Sequence, residues 1–231
     1  MNRPYIICHM VMSIDGKVTG DFLFRDEVAN ATDIYYEINR QYKADAFACG
    51  RVTMEGSFTG GWYPVLSQFN GICLPFEDFI ADFDAKFFAV SFDRKGRLGW
   101  KTSEIVDDDP GYGGAHIIEV LTENVDTRYL SYLQSVGVSY IFAGKEELNL
   151  LLALEKLKNL FGINRLLLEG GSIINGAFQR ENLVDELSLV TAPVIAGKDC
   201  KPLFMDSNIS EFKLTKIKNY ENGVIWTIYK K

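Results

Sequence analysis

A run of three leucines that ends at two glycines is the feature that most limits what this chain can fold into. Leu166, Leu167 and Leu168 are consecutive, whereas a strand with one face in water alternates apolar and polar residues. The run therefore predicts a strand that is buried on both faces. The glycine pair ends this strand, and Ser172 is a suitable N-cap for a helix over 173–180.

The same junction suits the binding of an anionic ligand. Gly170 and Gly171 would let a phosphate approach the N–H groups at the start of the helix, next to Ser172. Glu169 follows the buried strand directly, at the end where open α/β sheets usually bind their ligands. Two other interpretations stay open: the glycines form only a tight turn, and Glu169 is an exposed residue at a strand end.

The composition predicts one folded domain over residues 1–231. Hydrophobic residues make up 47% of the chain and aromatic residues 13%, which is enough for a substantial core. The formal net charge of −7 and the lack of a Lys/Arg-rich run argue against a nucleic-acid partner. An anionic ligand would therefore have to be held by local groups rather than by the field of the whole protein.

The cysteine and histidine content argues against metal and disulfide sites. The four cysteines are scattered without a CxxC pair and the chain has two histidines, so no metal site and no disulfide framework are predicted. No apolar segment is long enough to span a membrane, and the N-terminus lacks the full apolar core and cleavage site of a signal peptide. A cytoplasmic protein without a membrane partner is expected.

Strand-length apolar runs alternate with helical patterns along most of the chain. This alternation predicts an α/β fold with a mostly parallel central sheet and helices on both faces. In chain order, strands are predicted over 5–14, 45–49, 85–91, 115–121, 139–143 and 166–168, and helices over 26–41, 127–136, 146–161 and 173–180. Strand regions over 187–195 and 212–229 follow without helices, and Asn222-Gly223 predicts a hairpin, so antiparallel strands should close the sheet.

A second strand-to-helix junction and a basic turn also suit a phosphate. Gly50 would allow close approach, while Arg51 and Thr53 offer a cation and a hydroxyl at the start of a helix. Arg94 lies in a turn with two other basic residues, after the strand over 85–91. A capped helix with an exposed arginine, and an ordinary turn, are the alternatives.

The first strand also ends in charged residues. Asp15 and Lys17 follow it, which makes this turn another candidate site at a strand end. His9 lies inside the strand, where a hydrogen-bonded core histidine is the favoured interpretation. The segment over 57–82 is rich in glycine, proline and aromatic residues and is typical of a loop over an opening. Its aromatic side chains either line a pocket or anchor the loop.

Four motifs occur in an order that is known from one protein family: MSIDGK at 12–17, CGRVT at 49–53, LEGG at 168–171 and LVDELSLVTAPVIAG at 183–197. The chain resembles the reductase domain of the riboflavin-biosynthesis deaminase-reductase proteins. The resemblance implies a dihydrofolate reductase-like, three-layer αβα fold and a homodimer. It also implies the NADPH-dependent reduction of 5-amino-6-(5-phosphoribosylamino)uracil to the ribitylamino product.

The resemblance also implies roles for individual residues. Glu169 would hold the pyrimidine, and Asp15 and Lys17 would lie at the reacting end of the site as the further catalytic residues. The cofactor would be bound by residues at the three junctions: Gly50, Arg51, Thr53, Arg94, Gly170, Gly171, Ser172, Ile173 and Ile174. Arg51 and Arg94 favour NADPH over NADH, because an arginine can pair with the 2′-phosphate.

The sequence departs from the family at three points, one of which is the segment over 20–26, GDFLFRD, where the family has its usual serine and tryptophan contacts. Nothing in it resembles the H-x-E and P-C-x-x-C motifs of the zinc deaminase domain, so a stand-alone reductase is expected. The family's D-N-P-x-L-T-x-R pattern, whose arginine helps to hold the substrate phosphate, is replaced here by EGSFTGGWYP. The alternatives are an NADPH-dependent reductase of another small heterocycle, such as dihydrofolate, or of a carbonyl compound, and a nucleotide-binding protein without activity.

Overall fold

The computed structural model describes residues 2–231, without the side chains of residues 26 and 27. The elements in chain order are β1 (Tyr5–Ser13), α1 (Asp26–Tyr42), β2 (Ala46–Gly50), α2 (Arg51–Met54), β3 (Phe88–Phe92), β4 (His116–Leu121), α3 (Thr127–Val136), β5 (Ser139–Phe142), α4 (Leu150–Phe161), β6 (Arg165–Leu168), α5 (Ser172–Arg180), β7 (Glu186–Ala192), β8 (Lys213–Asn219) and β9 (Ile225–Lys230). Short 3-10 turns lie at Asp21–Phe24 and Leu66–Phe69, and a π-helical turn over Glu55–Thr59 continues α2.

The chain divides into two compact units. Unit 1 consists of Asp45–Asn164 with residues 2–4, and unit 2 consists of Tyr5–Ala44 and Arg165–Lys231. Apart from residues 2–4, unit 1 is therefore one continuous insertion between the two parts of unit 2. The prediction of a single domain over 1–231 stays a prediction.

Unit 1 contains a four-stranded parallel sheet in the order β5-β4-β3-β2. β3, β4 and β5 are buried along their whole length, which explains why their sequences are apolar without strict alternation. Two helices of this unit, α3 and α4, begin at residues whose side chains cap them. The Asp126 carboxylate accepts the N–H of Arg128 at the start of α3, and the Asn149 side chain accepts the N–H of Leu152 at the start of α4.

Unit 2 contains a five-stranded mixed sheet in the order β6-β1-β7-β9-β8. β6, β1 and β7 are parallel, and β9 and β8 are antiparallel to their neighbours. The residues of α1 that repeat at helical spacing pack against β7 and β9 in one core cluster, which includes Val28, Ala31, Ile34, Ile38, Val190 and Trp226. The predicted turn at Asn222-Gly223 forms, with a backbone bond from Tyr220 N–H to Val224 C=O at 2.9 Å.

The predicted α/β fold with parallel strands and antiparallel C-terminal strands is confirmed, as are the three buried leucines of β6. Two element boundaries were predicted wrongly. The helix predicted from 146 begins at Leu150, because Asn149 caps it. The strand predicted from 85 begins at Phe88, because the Asp82 carboxylate accepts the N–H groups of Asp84 and Ala85 and holds a turn there.

The described residues contain neither a membrane-spanning helix nor a metal-binding group of side chains. No helix within residues 2–231 is long and apolar enough to cross a membrane. No group of three or more His, Cys, Asp or Glu side chains in the same residues is arranged to hold a metal ion.

His9 is the core histidine that its position in β1 predicts. Its ring stacks on Tyr35 at 4.3 Å, and Nε2 lies 3.0 Å from the Tyr35 carbonyl, to which it must donate. Nδ1 then accepts from the Ser188 hydroxyl at 3.0 Å, and that hydroxyl accepts the Trp226 indole N–H at 2.9 Å. The neutral ring thus has a partner at each nitrogen. Burial lowers its pKa to about 4, although the carbonyl groups of Tyr35 and Ser188, which lie 3.0 and 3.2 Å from the ring nitrogens, oppose this shift.

This depressed pKa predicts that acid destabilises unit 2. Between about pH 6.5 and pH 4 the unfolded chain binds a proton on His9 that the folded chain excludes, so stability falls as the pH falls through this range. From pH 7.5 to pH 5.0 the free energy of unfolding should drop by about 2 kcal/mol more in the wild type than in a His9→Asn variant. Urea titrations at both pH values measure this difference, and equal pH dependence of the two proteins would contradict the assignment.

Candidate active site

The residues predicted to bind ligands lie in two clusters, one in each unit. In unit 2 they follow β1 and β6, and in unit 1 they follow β2 and β3. All four strands belong to parallel pairs, and each cluster lies at the carboxyl ends of its strands. This is the edge at which α/β sheets place their ligand sites.

In unit 2, the turn after β1 is fixed by its own backbone. Ser13 N–H donates to Lys17 C=O at 2.9 Å, and Gly16, whose φ is +71°, donates to Ser13 C=O at 3.0 Å. The Asp15 carboxylate accepts from the Ser13 hydroxyl at 2.6 Å and from the N–H groups of Ala196 and Gly197. These bonds, of which that from the Ser13 hydroxyl has the largest effect, lower the pKa of Asp15 to about 2.

Asp15 therefore has a structural task that the sequence did not reveal, since its two oxygens tie the β1 turn to residues 196 and 197. Lys17 differs from it. Its ammonium makes no hydrogen bond or ion pair with the part of the chain that the structure describes, and its side chain is half-buried. Of these two predicted catalytic residues, Lys17 is the one whose charged group is available to a ligand.

A segment that sequence analysis missed, 201–205, connects this turn to the start of α5. On one side Val18 N–H donates to Lys201 C=O at 2.9 Å, and Leu203 N–H donates to Gly16 C=O at 3.0 Å. On the other side Met205 N–H donates to Ser172 C=O at 3.1 Å. The segment thus brings the Lys17 turn and the Gly170-Gly171 junction, which are far apart in sequence, into one structure.

Gly176 explains how closely this segment approaches α5. A Cβ at this position would overlap the backbone carbonyl of Met205, so only glycine fits. Asn175 contributes from the same turn, since its side-chain amide donates to Leu203 C=O at 3.3 Å. The first turn of α5 is therefore fixed from two directions, by the end of β6 and by the segment over 201–205.

The start of α5 corrects one prediction. Gly171 is the N-cap, α5 begins at Ser172, and no side chain caps it. The Ser172 hydroxyl donates to Pro202 C=O instead, because the segment over 201–205 lies against it. The side chain of Ile173 is 64% exposed, whereas Ile174 is buried. A ligand at this helix end would therefore meet the backbone N–H groups of the first turn, which have no partner within the helix.

Glu169 is buried at the end of β6, with 7% of its surface exposed. Asn39, on α1, donates from its side-chain amide to Glu169 Oε1 at 2.8 Å. Asn39 is itself buried, so the bond fixes the orientation of the carboxylate. Sequence analysis missed Asn39, because a single asparagine in an amphipathic helix carries no signal for the strand end that it will face.

In unit 1, the predicted junction after β2 forms with Gly50 as the N-cap of α2. Arg51 pairs with Glu55 at 2.8 Å, one helical turn later. Thr53 is half-exposed within the same turn. The regular helix is only four residues long before it widens into the π-helical turn, so the cation of Arg51 matters more at this position than a helix dipole.

Arg51 faces the turn after β3, which we call the basic loop (residues 93–98). A cavity of about 230 Å³ is lined by Arg51, by Phe92 and, from the basic loop, by Asp93, Arg94, Lys95 and Arg97. The Asp93 carboxylate accepts the N–H groups of Arg97 and Leu98, so it holds the loop from inside. Burial raises the pKa of Asp93, although these bonds and the charge of Arg51 oppose the shift. Four cations thus line one small cavity in a protein of net charge −7, although Glu55 pairs with Arg51 and Glu147 pairs with Arg94.

The structure thus groups the predicted site residues by unit. Arg51 and Arg94 line one cavity, with Thr53 on the same short helix as Arg51. Lys17 and Ser172 are linked through the segment over 201–205, and Glu169 precedes the same glycine pair. The catalytic and cofactor-binding roles of all these residues stay predictions.

The fold, a mostly parallel sheet with antiparallel C-terminal strands, is dihydrofolate reductase-like. The chain belongs to the RibD C-terminal domain family, whose match covers residues 84–226. It is 26% identical, over 90% of its length and 87% of the relative's, to the 2,5-diamino-6-ribosylamino-4(3H)-pyrimidinone 5′-phosphate reductase of Methanothermobacter thermautotrophicus. The predicted family and the predicted oxidoreductase activity are therefore confirmed, and the alternative reductases and the inactive nucleotide-binding protein gain no support.

Solved structures agree on the fold. A pyrimidine reductase-like protein from Corynebacterium diphtheriae matches with a TM-score of 0.66 at 21% identity, over 99% of this chain and 92% of that chain. RibD of Acinetobacter baumannii matches with a TM-score of 0.64 at 19% identity, and the match covers all of this chain but 58% of that one. At these identities the likeness concerns the fold, which confirms the dihydrofolate reductase-like architecture that the motifs predicted.

Proposed function

We propose that this protein reduces a phosphoribosylaminopyrimidine with NADPH and opens its ribosyl group to a ribitylamine in riboflavin biosynthesis. The observation that carries the proposal is the buried carboxylate of Glu169, held by Asn39 at the end of β6 and followed at once by the start of α5. One strand end thus offers an acceptor for a heterocycle and, next to it, N–H groups for a phosphate.

The residues present fit a dinucleotide cofactor at two places. Gly170 has a φ of +103°, which favours glycine, and the next residue, Gly171, is half-buried at the N-cap of α5. In unit 1, the cavity at the basic loop suits a compact dianion such as the 2′-phosphate that distinguishes NADPH from NADH. When bound, the reduced nicotinamide supplies a hydride.

The proposed role of Glu169 is to bind the pyrimidine. A carboxylate accepts from two adjacent N–H donors, and both 5-amino-6-(5-phosphoribosylamino)uracil and its 2-amino precursor present such a pair. Because Asn39 occupies one position on Oε1, the orientation of the carboxylate is set before the substrate arrives. The relative from Methanothermobacter is named for the 2,5-diamino compound, which supports testing that compound beside the uracil.

Lys17 supplies the available cation at the other end of the unit 2 cluster. Reduction of the sugar carbon needs a proton for the ring oxygen as that oxygen becomes a hydroxyl. An ammonium can donate this proton or hold the substrate phosphate, for which the sequence lacks the family's usual arginine. The turn bonds of Ser13 and the ties of Asp15 keep the Lys17 backbone in place for either task.

The direct test is NADPH oxidation by the purified protein with each of the two pyrimidines, beside dihydrofolate under the same conditions. We expect turnover of at least one phosphoribosylaminopyrimidine, none of dihydrofolate, and a higher KM for NADH than for NADPH. The expected KM difference follows from the loss of the phosphate that the basic loop would bind. Turnover of dihydrofolate alone, or equal use of NADPH and NADH, would contradict the substrate or the cofactor assignment respectively.

Replacing Glu169 by glutamine tests the pyrimidine contact. The variant keeps the shape of the side chain but loses a charged acceptor, so kcat/KM for the pyrimidine should fall about 10- to 100-fold. The dissociation constant for NADPH should stay the same. Glu37→Gln is the matched control, since Glu37 is exposed on α1 and its carboxylate accepts from the Gln41 side chain one helical turn later. Unchanged kinetics of Glu169→Gln would remove Glu169 from the site.

We also propose that the protein forms a homodimer through β8. This strand lies at the edge of the unit 2 sheet, all seven of its residues are exposed, and the apolar side chains of Leu214 and Ile217 are 52% and 59% exposed. We likewise propose that the protein is cytoplasmic, as its sequence predicts.

Sedimentation equilibrium at micromolar concentration tests the dimer. We expect a dimer for the wild type and a shift to monomer for Ile217→Asp, because the charge would be buried against the second copy. Val106→Asp is the control, since Val106 is a comparably exposed apolar residue of unit 1. A wild-type protein that is monomeric throughout would overturn the proposal.

A further inference from the structure

We infer that Tyr63 is a positioning residue for the basic loop, and through it a determinant of the preference for the phosphorylated cofactor. The inference rests on the proposed function, because it concerns the cation cluster that would bind the 2′-phosphate. It also gives a task to part of the segment over 57–82, for which the sequence left open whether its aromatic residues line a pocket or anchor a loop.

Side chains hold the backbone of the basic loop at four points. The Asp93 carboxylate accepts the N–H groups of Arg97 and Leu98, and the Thr122 hydroxyl donates to Arg94 C=O at 2.9 Å. The Tyr129 hydroxyl donates to Leu98 C=O at 2.7 Å. Asp93 belongs to the loop itself. Thr122 follows β4 and Tyr129 lies in α3, so their contacts tie the loop to regular elements of unit 1.

The fourth point is the bond from the Tyr63 hydroxyl to Gly96 C=O, at 2.8 Å. Gly96 is the residue between Lys95 and Arg97, and its φ of +62° makes it the point at which the loop reverses. A Cβ at Gly96 would overlap the Tyr129 ring, so the loop lies directly on α3 at this residue. Fixing the Gly96 carbonyl therefore limits the backbone movement that could carry both neighbouring cations away from the cavity.

Tyr63 is well placed to hold this carbonyl. Its ring stacks on Tyr129 with the planes 5° apart and the centroids at 6.0 Å. The preceding residue, Trp62, lies against Gly99 so closely that a Cβ on Gly99 would overlap the Trp62 carbonyl. Tyr63 thus approaches the basic loop beside a residue that packs against Gly99, and removal of its hydroxyl takes away the bond to Gly96 while the ring stacking stays.

Electrostatics explain why such a contact would matter for binding. Arg94, Lys95 and Arg97 are three cations within four residues, and Arg51 faces them across the cavity. Glu147 pairs with Arg94 and Glu55 pairs with Arg51. The repulsion between the remaining cations, Lys95 and Arg97, opposes a compact loop while no anion is bound. Each bond that holds the loop closed lowers the free energy that a phosphate must supply to assemble the site.

The test is Tyr63→Phe, which removes the hydroxyl and keeps the stacked ring. Isothermal titration with NADP⁺ and with NAD⁺ measures the preference directly. We expect wild type to bind NADP⁺ more tightly, and the variant to lose about 3- to 10-fold in affinity for NADP⁺ with little change for NAD⁺. In the assay the KM for NADPH should rise by the same factor while kcat stays the same.

Tyr5→Phe is the matched control, since its hydroxyl bonds Glu186 at 3.2 Å in unit 2 and its loss should leave both affinities unchanged. Thermal unfolding of each variant separates a binding effect from a loss of fold. Equal weakening for NADP⁺ and NAD⁺, or no weakening for either, would overturn the role of Tyr63. A wild type that binds both nucleotides equally would instead overturn the cofactor proposal and, with it, this inference.

Discussion

Burial of the parallel strands on both faces is the constraint on which the rest of this structure depends. β3, β4 and β5 of unit 1 are buried throughout, and so are the leucines of β6 in unit 2. A strand of this kind has no solvent-facing side on which to carry polar chemistry. The charged side chains of the candidate site therefore lie just beyond the strand ends, as Arg51, Asp93 and Glu169 do. Glu119, within β4, is the buried exception, and it accepts the indole N–H of Trp100.

Placing charges at strand ends requires that they be held there, and the two units do this with the same device. In unit 1 the Asp93 carboxylate accepts backbone N–H groups and shapes a loop that carries cations. In unit 2 the Asp15 carboxylate accepts backbone N–H groups and holds the turn that carries Lys17. In both places an acidic residue organises the backbone beside a basic residue that we propose faces a ligand, and such an arrangement would reconcile a negative net charge with local anion binding.

Much of the fold could be predicted because it is encoded locally. The buried leucines, the helical spacing of α1 and the Asn222-Gly223 turn each follow from a few neighbouring residues. The parts that sequence analysis missed depend on partners distant in the chain. The hydroxyl of Ser172 bonds a carbonyl of the segment over 201–205 rather than capping α5, and Asn39 meets a carboxylate from β6. No pattern within one stretch of sequence encodes such pairs.

The topology also sets an order in which the chain can assemble during synthesis. Apart from residues 2–4, unit 1 is a continuous stretch. The N–H of Asn164 at the end of this stretch donates to the Asp45 carboxylate at its beginning, at 2.8 Å. β1 instead pairs with β6 and β7. Cys8 can therefore pair with Leu168 only after the whole stretch over 45–164 has been synthesised. The insertion can fold while the apolar strand of the enclosing unit is still unpaired, which makes β1 the part of the nascent chain most in need of protection from aggregation.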